Sequence, residues 1–74
     1  MGTASVEQVK TAIKKVLEKH GELDHFMLWF KVMSFLADDI STSVMGKALD
    51  DLGSNGVIKD KYGAVRLSNK EVDG

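Results

Sequence analysis

Residues 26–37, Phe-Met-Leu-Trp-Phe-Lys-Val-Met-Ser-Phe-Leu-Ala, are apolar except at Lys31 and Ser34, and no other segment limits the fold so severely. Asp24 is a competent helix cap. The run therefore reads as a helix through about Ala37, with Lys31, Ser34 and Asp38 as a narrow polar stripe. A helix that is apolar around most of its circumference has to be enclosed, and a chain of 74 residues has little to enclose it with. Two arrangements relieve the conflict. In one, residues 26–29 form a short extended strand and the helix starts near Phe30. In the other, a partner buries part of the surface. Phe26, Trp29 and Met33 are then the candidate seam of a homodimer, because aromatic residues and methionine are enriched at interfaces.

A hydrophobic content of 43% supports a core, although a domain near this size buries only ~60% of its unfolded surface. With no cysteine, disulfides and thiolate metal sites are excluded. Ten basic residues face eleven acidic ones, and the pI is about 6.0. Strong nucleic-acid binders often lie above ~9, so any basic surface here must be local. Met-Gly-Thr-Ala-Ser at the start carries neither positive charge nor an apolar h-region. Val6 stands where a myristoylation signal wants Ser or Thr. The apolar run is too short to span a bilayer. The expectation is a soluble, cytoplasmic (intracellular) protein with no membrane role, found in the nucleoid or nucleus if it binds DNA.

Ser5 and Gln8 make a capping box. Val6, Val9, Ile13, Val16 and Leu17 follow as one helical stripe, and Lys10, Lys14, Lys15 and Lys19 lie on a solvated face. Gly21 is the natural stop. A later helix is capped by Ser41, buries Val44, Ala48, Leu49 and Leu52, and ends at Gly53, with Ser54-Asn55-Gly56 as a turn. Residues 57–67 read as a β-hairpin in which Gly63 supplies the positive φ of a short loop. Residues 1–4 and 69–74 read as frayed ends, leaving an ordered core of about 5–68 in a single domain.

From Ile40 onward the residues resemble a known family. Ile40-Ser41-Thr42-Ser43-Val44-Met45-Gly46-Lys47-Ala48-Leu49-Asp50-Asp51-Leu52, then Gly56-Val57-Ile58, then Tyr62-Gly63-Ala64-Val65-Arg66-Leu67, is similar to the recognition helix and wing of the winged helix-turn-helix superfamily. The likeness is close over roughly half of the chain and rests on element order elsewhere; it picks out no subfamily. It implies an α+β fold, mainly α with a small β-hairpin: three helices plus a C-terminal β-wing. One turn departs from the pattern, since Ala37-Asp38-Asp39 stand where the family usually has a small residue and glycine.

The resemblance also implies that helix 41–53 enters a major groove of double-stranded DNA and that hairpin 57–67 touches the backbone or minor groove as a wing. Thr42, Ser43, Met45 and Lys47 become candidate DNA contacts on the outward side of the helix, with Gly46 among them. Lys59, Lys61, Tyr62 and Arg66 are the candidates on the wing. The expected function is that of a DNA-binding transcriptional regulator acting as a homodimer. The alternative is a winged-helix protein-interaction module, favoured by the acidic balance and by Asp50-Asp51, which would repel phosphates or pair with Lys47. Each candidate also has a plainer account. Ser41–Ser43 can serve as caps, Gly46 can admit a close helix neighbour, Tyr62 can cover the core, and lysines on a hairpin edge block edge-to-edge aggregation. His20, Glu22, Asp24 and His25 are residue types that zinc accepts, but their spacing matches no defined site. No cofactor or metal is expected. With no G-x-S-x-G, P-loop, H-E-x-x-H or G-x-G-x-x-G motif, no enzyme is expected either.

Overall fold

The first helix, α1 (Val6–His20), starts as its sequence requires. Ser5 Oγ accepts from Gln8 N at 3.2 Å while Gln8 Oε1 accepts from Ser5 N at 2.9 Å, closing the capping box. At the other end Gly21, at φ +87°, donates its N–H to Leu17 O. The structure, a computed structural model, describes residues 4–68. Fraying at 1–3 and 69–74 lies outside the described residues, but Ala4, expected in the frayed end, is buried in the core.

Chain order continues with β1 (Glu22–Asp24), α2 (His25–Leu36), α3 (Thr42–Ser54), β2 (Ile58–Lys61) and β3 (Ala64–Leu67). Of the two possibilities for residues 26–29, the helix capped by Asp24 is the one formed, and the short strand lies before it, at 22–24. The reason is Asp24: its Oδ1 accepts from Met27 N at 2.8 Å, so the helix can begin at His25. Glu22-Leu23-Asp24 pair antiparallel with Arg66-Val65-Ala64, and β2 pairs antiparallel with the other edge of β3, giving the sheet order β1-β3-β2. Three helices with this small antiparallel sheet are compatible with a winged-helix-like arrangement.

One cluster of buried side chains joins all the layers. Val9, Ala12, Ile13, Val16 and Leu17 come from α1, Leu28 and Val32 from α2, Met45, Ala48 and Leu52 from α3, and Ile58 and Val65 from the sheet. α2 thus buries only a narrow strip, and Phe26, Phe30 and Phe35 stay 72%, 54% and 55% exposed. Among the described residues nothing covers this excess of apolar surface. Trp29 does find a polar partner, donating Nε1–H to Ile40 O at 3.2 Å and so tying α2 to the approach of α3.

The turn between α2 and α3 explains the missing glycine. Ala37 itself takes the left-handed conformation, at φ +56°, and donates its N–H to Met33 O as the α2 cap. α3 also runs further than expected. Gly53 is helical, the cap is Asn55, and the positive φ falls on Gly56 at +75°.

Two substitutions check this account by thermal or denaturant unfolding. Leu28→Ala removes a fully buried side chain and should cost about 2–5 kcal/mol, a large part of the stability of so small a domain. Ala37→Gly should stabilise by about 1 kcal/mol by removing the Cβ conflict of the left-handed state; a loss of stability would show that Ala37 has another role.

Candidate nucleic-acid interface

The polar face of α3 is set by its helical period. With Met45, Ala48 and Leu52 buried, Thr42, Ser43, Gly46, Lys47, Asp50 and Gly53 are left exposed. Ser41 is the cap, its Oγ accepting from Val44 N at 3.2 Å, which leaves the hydroxyls of Thr42 and Ser43 without a capping task. Met45, expected among the outward positions, is buried in the core. It sits three residues before Ala48 and seven before Leu52, on the inward stripe, so it cannot touch a groove. Lys47 forms no ion pair with Asp50 or Asp51. Asp51 instead meets Lys10 of α1 at 3.7 Å, which leaves Asp50 as the exposed acid at the middle of the α3 face, flanked one turn away by Gly46 and Gly53. A Cβ added at Gly46 would meet nothing within 4 Å. Close packing of another helix in this chain therefore does not explain that glycine.

The β2–β3 hairpin, expected as a wing, has a two-residue turn. Lys61 pairs with Ala64, and the connecting Tyr62 and Gly63 both have positive φ, +54° and +81°, the signature of a type I′ turn. That turn prefers Asn, Asp or Gly at its first position, and a tyrosine there carries a penalty on the order of 1 kcal/mol. Tyr62 gains nothing from the core in exchange: it is 97% exposed, with Lys61 Nζ 5.9 Å from its ring centroid. Covering the core is thus excluded as its role.

Strand pleating divides the remaining wing residues. Ile58 and Val65 face the core, and Asp60, paired with Val65, shares their side. Lys59, Lys61 and Arg66 point to the outer side of the sheet. Lys59 stands opposite Arg66, and Arg66 lies opposite Glu22 on its other flank, with Nη1 3.7 Å from Oε1. The outer face therefore passes from Lys59 and Lys61 on β2 to Glu22 and Asp24 on β1. On the inner side, Asp60 Oδ2 lies 2.7 Å from His25 Nε2 at the start of α2, a hydrogen bond that becomes an ion pair when the imidazole is protonated. His25 and Asp60 border a groove of about 400 Å³ whose other wall is Gly46, Asp50 and Gly53. The structure accordingly does not gather the expected set on one face. Thr42, Ser43 and Lys47 lie on α3, the cations of the wing lie beyond the sheet, and Tyr62 at the tip projects past both.

The expected seam on α2 also separates. Phe26 is open to solvent, whereas Trp29 and Met33 pack against the chain's own core. The exposed rings of Phe30 and Phe35 were not singled out by the sequence reading; projecting α2 against the lysine face of α1 could have found them. Among the described residues no three His, Asp or Glu side chains gather as metal ligands, and no helix is long and apolar enough to cross a membrane. Comparison with protein-family models and with curated proteins found no match.

Both unexplained positions have a measurable signature. Tyr62→Asn should raise stability by about 0.5–1 kcal/mol and Gly46→Ala by about 1 kcal/mol, each shifting the melting temperature upward by several degrees. A lower melting temperature for either variant would reveal an intrachain contact that the geometry does not contain.

Proposed function

We propose that this chain is a winged-helix module that binds double-stranded DNA, with α3 in the major groove and the β2–β3 hairpin as the wing. The observation that carries the reading is the order of elements combined with the sheet: β1 closes the open side of the β2–β3 hairpin, and α3 keeps its polar face outward beside it. Thr42 and Ser43 would donate hydroxyls to phosphates or base edges, and Lys47 would reach a guanine or a phosphate. Lys59, Lys61 and Arg66 would neutralise backbone charge, and Tyr62 would lie along the sugar–phosphate wall. A module of this kind acts by occupying a site, which is how a transcriptional regulator works. Two copies joined through the Phe26 side of α2 would present two α3 helices to paired half-sites.

Asp50 favours a second reading. A carboxylate at the middle of the exposed face of α3 opposes phosphate, and the same face would suit a basic segment of a partner protein.

Fluorescence anisotropy of a labelled random duplex tests the proposal. If Lys47, Lys59, Lys61 and Arg66 carry the phosphate contacts, log Kobs should fall with log salt at a slope of about −3.6. Substituting Lys47 and Arg66 together by alanine should weaken binding and flatten that slope. Binding that survives the double change would displace the site from these residues, and absence of binding at low salt would leave the protein-interaction reading standing.

A further inference from the structure

α1 and α2 enclose a trough that shares no residue with α3 or the wing. Its first recess, about 310 Å³, has Val16 at its base, Phe30 and Phe35 as walls, and Lys15, Lys19 and Lys31 on its rim, with no carboxylate among the lining residues. Those three lysines take part in none of the ion pairs among the described residues. Phe35 separates this recess from a second one of about 330 Å³, floored by Ala12 and bordered by Leu36, Gln8, Thr11 and Glu7, whose carboxylate is paired with Lys10 at 3.4 Å. Along α1 the residues lining the two recesses are centred eight positions, or about 12 Å, apart, within one residue of an i, i+7 spacing. The plainer account, a solvated lysine face beside surplus apolar residues, covers the lysines but not the two aromatic walls held open around an apolar base.

We infer that this trough docks an acidic amphipathic helix of a partner protein, with two large aliphatic side chains seven residues apart filling the two recesses and Asp or Glu around the one that meets Lys15, Lys19 and Lys31. A trough between two helices is the shape a third helix fills, with anchors at i and i+7. Charge complementarity selects the partner. A second copy related by a twofold axis would set these lysines against their own equivalents. A planar bilayer does not fill recesses, and a nucleic-acid strand has no aliphatic groups to place in them.

Two labelled synthetic peptides of about four helical turns test this against the intact protein. Both carry leucine at two positions seven residues apart; one has glutamate around the first leucine and the other has lysine there. The glutamate peptide should bind about tenfold tighter or better at low salt, and its amide shift changes should fall on residues 7–20 and 30–36. Phe35→Ala should weaken it by about tenfold while leaving the circular-dichroism melt close to that of the parent. Lys15→Glu combined with Lys19→Glu should reverse the preference between the peptides. Equal affinity of the two peptides, a preference that survives the charge reversal, or shifts centred on α3 and the wing would each overturn the inference. So would displacement of the peptide by oligothymidylate or anionic vesicles from the same residues, or self-association abolished by Phe35→Ala.

Discussion

Everything in this small fold depends on three residues of β1. A hairpin such as β2–β3 is marginal in isolation, and it becomes part of a sheet because Glu22-Leu23-Asp24 add to the free edge of β3. The same strand fixes the helices. Asp24 is at once the last strand residue and the cap of α2, so pairing with Ala64 determines where α2 begins. Trp29, one turn into that helix, then holds Ile40 by its indole N–H, and Ile40 enters the core immediately before α3. Sheet, second helix and third helix are thus positioned in sequence by one short ladder that joins distant parts of the chain.

Much of this order is legible in the residues because local signals agree with the global arrangement. The capping box at Ser5, the stop at Gly21, the cap at Ser41 and the turn at Gly63 are contacts between near neighbours, and all four form. What could not be read depends on non-local pairing. β1 has no strand-like sequence of its own; Glu-Leu-Asp is extended because β3 and the Asp24 cap make it so. Ala37 takes the left-handed state as the α2 cap, its N–H and that of Asp38 both donating to Met33 O, at a position where no glycine marks the stop. For the candidate interface, the spacing on α3 identifies Thr42, Ser43 and Lys47 as exposed, and it also carries the signal that puts Met45, three residues before Ala48 and seven before Leu52, on the inward stripe. It could not reveal that pleating turns Lys59, Lys61 and Arg66 away from α3.

The α2 run shows how a small chain handles more apolar surface than it can cover. Only Leu28 and Val32 are enclosed, while three phenylalanine rings remain in solvent. Such exposure favours aggregation unless charge or shape limits it. Here Lys15, Lys19 and Lys31 surround two of the rings, so the apolar surface is broken into recesses and does not form one broad patch.

The outer face of the sheet has a consequence for how the molecule meets any large charged object. Its net charge is close to zero, yet lysines lie along β2 and carboxylates along β1, only two strands away. That separation gives the outer face of the sheet a charge gradient running across its strands. In the field of a polyanion such a gradient produces a torque on the sheet without a strong net pull. On that face, β2 is the edge a polyanion attracts and β1 the edge it repels.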